Sequence, residues 1–285
     1  MITFLQLGKL GRLGNQLFQY AALRGLSLKN NYEFKLPQLN DASWHGQKCL
    51  LDKFNIKKSF LLPEDTIKLK YSYSEPDWSI IDKNFFKIPD NTSIDGFFQS
   101  LFYFAGFEDI IKQELTPCEP HMRKASNYIE TLKSENNCEI VSVHVRRGDN
   151  MTNGQQELIK AYEPNGLYEQ YFNKAKAFFS GKNVKFLVFT GGQRFNEDNS
   201  DDVAWCRNFF RGDEFIFSEG QDQIDDLCSI ISCDHNILSH ASSFGWWGAF
   251  LNRNPQKTVV APEFYHPDHP NLIRKNFYPS KYILV

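Results

Sequence analysis

Residues 2–7 are mostly apolar, which predicts a buried strand. A glycine-broken turn follows from Gly8 to Gly14, and Asn15 opens a predicted helix. In that helix Leu17, Phe18, Ala21, Ala22 and Leu26 recur at helical spacing and give it one apolar face. Strand, turn and helix in succession are how an α/β domain begins. Over residues 31–93 Pro, Asp, Lys and single aromatics are scattered without a period, and no element is assigned there. The pattern resumes with a predicted strand over 94–100 that leads into a helix through Phe107 and Ile111.

A polar segment, 133–137, follows a helical run and places a domain boundary near it, giving domains 1–132 and 133–285. Beyond it the alternation is regular. Strands are predicted at 140–145, 184–189, 215–217, 237–238 and 258–260. Between them lie helices at 167–179, 202–210 and 244–251, and one that carries Ile224, Leu227, Cys228 and Ile231 on a single face. Repeated β-α alternation predicts an α/β fold with a mostly parallel, doubly wound sheet. Ligands of such sheets bind beyond the carboxyl ends of the strands, so a polar cluster just after a strand is a candidate site.

Composition narrows the functional classes. The formal net charge of −2 argues against a protein that grips nucleic acid by neutralising many phosphates. A few local cations still suffice for one diphosphate. The aromatic share of 15% is high, and most of these rings are expected in cores, although rings also stack on bases and sugar faces. Six cysteines (Cys49, Cys118, Cys138, Cys206, Cys228 and Cys233) include no CxxC pair and read as reduced thiols of a cytosolic protein. No stretch approaches the roughly 20 apolar residues of a spanning helix, and the N-terminus lacks the basic start of a signal peptide. The expectation is a soluble cytoplasmic protein, at most peripheral to the inner membrane surface.

Three segments carry candidate chemistry. The first, Val143 to Asp149, places His144, Arg146, Arg147 and Asp149 at a strand's carboxyl end. Paired guanidiniums there are costly to desolvate without an anion, and their planar forks suit phosphate oxygens. The alternative is an inter-domain ion pair, which Arg147 could make with Asp149 itself. The second, Ser239 to Gly248, again follows a strand and opens a helix. Hydroxyls and amides at a helix N-terminus favour an anion, while simple capping by serine is the plainer reading. The third, Gly8 to Gln16, permits close backbone approach but fits neither GxGxxG nor a P-loop, which disfavours a dinucleotide oxidoreductase or an NTPase.

Ser200-Asp201-Asp202 starts a helix, where capping is the expected role of the carboxylates. Asp226, inside a helix, either accepts from guanine nitrogens or lies on a solvated face. No two aspartates are separated by a single residue, so the Asp-x-Asp metal signature is missing, and the histidines offer no zinc motif. No metal cofactor is expected.

These segments together resemble the α-1,2-fucosyltransferases of glycosyltransferase family 11. Gly11-Arg12-Leu13-Gly14-Asn15-Gln16-Leu17-Phe18-Gln19-Tyr20-Ala21 is similar to their opening signature, and Gly96-Phe97-Phe98-Gln99-Ser100 with Tyr103-Phe104 to their middle motif. His144 to Asp149 resembles their GDP-fucose motif, and Ser242 to Gly248 their C-terminal one. The four fall in family order over nearly the whole chain.

The resemblance implies a GT-B architecture of two Rossmann-like domains facing across a cleft, the C-terminal one holding GDP-fucose. It implies transfer of fucose with inversion, without a metal, to O2 of a galactose in an acceptor glycan. Arg146 would bind the diphosphate and act in catalysis. His144 and Asp226 would meet the guanosine, with Arg147, Ser242, Ser243 and Phe244 completing the donor site. Gly14, Asn15, Gln16 and Gln99 would lie on the acceptor side. Asp149 and Glu157, near the arginines in sequence, are the candidate bases. The runner-up readings are transfer of another GDP-sugar and a non-catalytic nucleotide- or glycan-binding module.

The chain departs from the family's usual pattern in an insertion over 190–200, which reads either as a loop over the acceptor or as a surface excursion. It departs again at Gly245, where bacterial members often carry serine, and in the stretch Ser239-His240-Ala241.

Overall fold

The computed structural model describes residues 1–39, 43–44, 47–151, 156–191, 200–263 and 277–285. They divide into two compact units. The first runs from Met1 to Cys118 and includes Phe277 and Tyr278; the second begins at Glu119 and ends with Ser280–Val285.

In the first unit β1 (Ile2–Thr3) leads into α1 (Leu13–Asn30). Thereafter come β2 (Phe34–Lys35), a two-residue antiparallel pair β3 (Ser43–Trp44) and β4 (Gln47–Lys48), and a single helical turn α2 (Pro63–Thr66). Then follow β5 (Tyr71–Ser74), β6 (Thr92–Asp95) and α3 (Glu108–Glu114). The main sheet has the order β2-β1-β6-β5 and is parallel throughout. The predicted first strand is thus only its first two residues. Phe4 and Leu7 are buried in the turns beyond it, and α1 starts at Leu13, two residues before Asn15. The predicted strand over 94–100 ends at Asp95, because the backbone turns at Gly96 and enters a left-handed conformation at Phe98, with φ 50°.

The second unit opens with α4 (Glu119–Asn136) and continues with β7 (Glu139–Val145), α5 (Gln156–Ala161), α6 (Leu167–Ala177) and β8 (Val184–Thr190). It ends with α7 (Ser200–Phe209), β9 (Phe215–Phe217), α8 (Gln223–Ser232), β10 (His235–Ile237), α9 (Ser243–Leu251), β11 (Val259–Ala261) and β12 (Ile283–Leu284). The division between units falls before α4 rather than at its end near residue 133. The reason is side-chain docking: Asp225 on α8 accepts from Lys124 and pairs with His121, while Lys133 bonds Asp234 at 3.0 Å, so α4 belongs with α8.

The six strands described in this unit are all parallel, in the order β9-β8-β7-β10-β11-β12. The chain winds outward from β7 to β9, then returns to the other side of β7 and winds outward again to β12. Its topological switch point therefore lies between the carboxyl ends of β7 and β10. One face is packed by Tyr168, Tyr171, Phe172, Phe186 and Phe210 against Val141, Val143 and Val145, and the other by Ile129, Leu187, Phe189 and Ile230. Aromatic residues thus serve mainly as core. The six cysteines are free thiols. Among the described residues no helix is long and apolar enough to cross a membrane. Residues 192–199, the bulk of the predicted insertion, lie outside the described residues.

Candidate functional site at the β7–β10 switch point

Strand β7 delivers His144 and Arg146 to the switch point, and the segment after β10 delivers Ser239 and the start of α9. Ser242 caps α9: its Oγ accepts from the Gly245 N–H at 3.2 Å, so capping is one of its roles. Ser243 and Phe244 occupy the first turn, where the amide dipoles favour an anion. Trp246 and Trp247 are fully buried and lock α9 in place, their rings 4.9 Å apart and edge to face.

His144 lies under this helix, its ring 5.6 Å from that of Phe244. Burial, reinforced by the nearby Arg146 charge, pushes the imidazole down to about 3, so it is neutral at working pH. Its Nδ1 is buried without a hydrogen-bond partner among the described residues. A Cβ added at Gly245 would sit 3.1 Å from the imidazole, so a serine there would press on the ring.

The two arginines part company. The Arg146 guanidinium pairs with Asp149 at the end of the same turn. Arg147 turns inward, its Nε donating to Asp202 Oδ1 at 3.1 Å and its guanidinium lying 4.5 Å over the Trp205 ring. Asp202 is fully buried and also accepts the Gly148 N–H at 3.1 Å. This adds to one expectation and corrects another. Asp202 stands in the first turn of α7, as expected, and its side chain also serves as the counter-ion of Arg147. The carboxylate partner of Arg147 is Asp202, and Asp149 belongs to Arg146.

Asp226 stands on α8 and accepts from Ser218 Oγ at 2.7 Å, just beyond β9. Burial is the main cause that pushes its carboxyl up to about 7, with Asp222 and Asp225 adding repulsion. Glu157 is not brought to the arginines: it lies exposed on α5 and bonds Lys160 at 2.8 Å. Sequence reading missed Tyr162 and Ser239, both buried, which hydrogen-bond the main chain of Arg146. Ser239 stands inside a quoted segment, but its role has no local signature. Among the described residues no group of three or more His, Cys, Asp or Glu side chains is arranged to hold a metal ion.

In the first unit Gln99 Nε2 donates to Asn15 Oδ1 at 2.7 Å, joining the turn after β6 to the start of α1. Glu75 fixes that turn by accepting the Phe97 and Phe98 amides at 2.8 and 3.0 Å. Gly14 is buried within α1. Gln16 is also buried, and its Oε1 accepts the Leu50 N–H at 3.1 Å. Of the four acceptor-side candidates, the structure pairs Asn15 with Gln99 and places Gly14 and Gln16 in the packing behind them.

The sequence profile described as Glycosyl transferase family 11 matches residues 4–282. The chain is 28% identical over 278 residues to an alpha-1,2-colitosyltransferase of Escherichia coli, covering 88% of this chain and 89% of that one. It is 26% identical over 269 residues to the mouse galactoside 2-alpha-L-fucosyltransferase Sec1, covering 91% and 67%. Among solved structures, POFUT1 in complex with GDP-fucose superposes with a TM-score of 0.51 at 12% identity, covering 90% of this chain and 97% of that one. At that identity the likeness is one of fold, and it agrees with two parallel-sheet units of the GT-B class. With the profile spanning almost every residue, the chain belongs to glycosyl transferase family 11.

Proposed function

We propose that this glycosyltransferase moves L-fucose from GDP-β-L-fucose to a hydroxyl of an acceptor glycan, O2 of a galactose, with inversion and without a metal. The observation that carries the reading is the meeting of Arg146, neutral His144 and the N-terminus of α9 at the switch point. As the sugar C1–O bond breaks, the ring approaches an oxocarbenium ion and the GDP β-phosphate gains negative charge. Arg146 and the first-turn amides of α9 stabilise that charge as it develops, the part a divalent cation plays in other sugar-nucleotide enzymes. Buried His144 Nδ1 and Asp226 supply polar partners for the guanosine. Asp149 orients the Arg146 guanidinium and is the nearer of the two candidate bases; Glu157, tied to Lys160, is the more remote. Asn15 and Gln99 are assigned to the acceptor.

A second donor has support of its own. The Escherichia coli relative is named for colitose, which is L-fucose without its 3-hydroxyl, so GDP-colitose is the alternative donor.

The deciding experiment is GDP release from GDP-fucose in excess EDTA, with lactose, N-acetyllactosamine and Gal-β1,3-GalNAc as acceptors, for wild type and Arg146→Ala. Acceptor-dependent release is expected from wild type. Arg146→Ala is expected to lose it while keeping the wild-type circular dichroism. A strict need for Mn²⁺ would remove the metal-free mechanism, and an active Arg146→Ala would remove the site.

A further inference from the structure

The peptide groups on both sides of Arg146 are held by two buried hydroxyls. The Arg146 N–H donates to Ser239 Oγ at 3.0 Å. The Tyr162 hydroxyl donates to the Arg146 carbonyl at 2.7 Å, and Tyr162 Oη lies 3.2 Å from Ser239 Oγ. Each hydroxyl has one proton. The tyrosine proton is committed to the Arg146 carbonyl, so the serine proton must go to Tyr162 Oη. The three bonds close a ring: Arg146 N–H to Ser239, Ser239 O–H to Tyr162, Tyr162 O–H to Arg146 C=O.

Every donor in this ring has an acceptor, and each bond polarises the next in a site shielded from water. Ser239 and Tyr162 are 1% and 5% exposed, so water does not compete. Both hydroxyls are themselves anchored. The Tyr162 ring stacks on Tyr168 at 4.9 Å and lies beneath the Arg147 guanidinium. The neighbouring Leu238 carbonyl accepts from Tyr171 at 2.7 Å. Burial pushes the Tyr162 phenol up to about 12, so its proton is present at any working pH.

We propose that Tyr162 and Ser239 are positioning residues for Arg146. By fixing both adjoining peptide planes, the ring fixes the direction in which the Arg146 side chain leaves β7. The guanidinium is thereby pre-set for the diphosphate instead of being ordered when the ligand binds. The inference rests on the proposed role of Arg146 as the diphosphate ligand; neither hydroxyl needs to touch the nucleotide.

The test compares GDP with guanosine by calorimetric titration of the intact protein, which requires no acceptor. Tyr162→Phe keeps the ring packing and Ser239→Ala the backbone; each removes two of the three bonds of the cycle. Each variant is expected to weaken GDP about fivefold while leaving guanosine affinity unchanged. The double variant is expected to lose no more than about the same fivefold, because either change opens the ring, whereas independent bonds would multiply to about 25-fold. Equal losses for GDP and guanosine would mean a general structural defect and overturn the proposal, as would unchanged GDP affinity or multiplicative losses. Arg146→Ala separates the two levels of argument. If it abolishes the preference for GDP over guanosine while Tyr162→Phe does nothing, only the positioning role fails. If it leaves that preference intact, the diphosphate role fails and the positioning role with it.

Discussion

The carboxyl of Asp226 carries a readable titration. It faces Ser218, and within its own helix Asp222 and Asp225, the latter balanced by Lys124 and His121 from α4. Its folded pKa of about 7 lies above the ordinary aspartate value, so folding favours the protonated acid. Its contribution to the stability of the unliganded protein is full below about pH 4 and is lost as pH rises through about 7. Guanine N–H donors require the other form, the carboxylate. The affinity for GDP should therefore fall by up to about tenfold per pH unit as pH drops below 7. Asp226→Asn should flatten that profile. Calorimetric titration between pH 5.5 and 8 checks both, and a wild-type profile as flat as that of the variant would mean Asp226 does not meet the base.

Among the elements, two glycines let helices approach where any side chain would collide. A Cβ at Gly25 of α1 would lie 2.1 Å from the Tyr103 main-chain oxygen. One at Gly248 of α9 would lie 2.3 Å from Ile230 Cγ2 on α8. Overpacking of this kind typically costs about 1–3 kcal/mol. A backbone carbonyl cannot move without dragging its segment, while an isoleucine methyl can yield. Gly25→Ala should therefore destabilise toward the upper end of that range and Gly248→Ala toward the lower, as read from urea unfolding. The reverse order would mean that the α8–α9 contact is the stiffer one, and with it the seat of the candidate anion site.

For the whole molecule, the six described strands of the second unit, all parallel, wind outward from β7 in both directions and reverse between β7 and β10. That topology brings residues about ninety positions apart, Arg146 and Ser239, to within one hydrogen bond. If GDP binds there, mass action stabilises this unit by about 2.7 kcal/mol at one hundred times Kd. Amides of β7 and β10 that exchange only when the unit opens should then slow by about 100-fold. Arg146→Ala should abolish most of that protection at the same GDP concentration, and protection unchanged by the mutation would place the nucleotide elsewhere.

The sequence by itself determined the α/β alternation of the second half. Its longest strands, β7 and β8, show an apolar run, and its helices show a helical period. It also determined the candidate motifs, because each is contiguous: a strand end followed by charged or hydroxyl residues needs no knowledge of the rest of the chain. Over 31–93 it determined little, since two-residue strands such as β2 and one-turn helices such as α2 are too short to carry any period. Only the tertiary structure decided which partners the charges took. Arg147 met Asp202, fifty-five positions away, and Arg146 kept Asp149. Glu157 went to a solvent face beside Lys160, and the hydroxyls of Tyr162 and Ser239 closed on Arg146. The physical reason is that a buried charge or hydroxyl is satisfied by whatever group the packing brings within about 3 Å, and sequence order does not encode that distance.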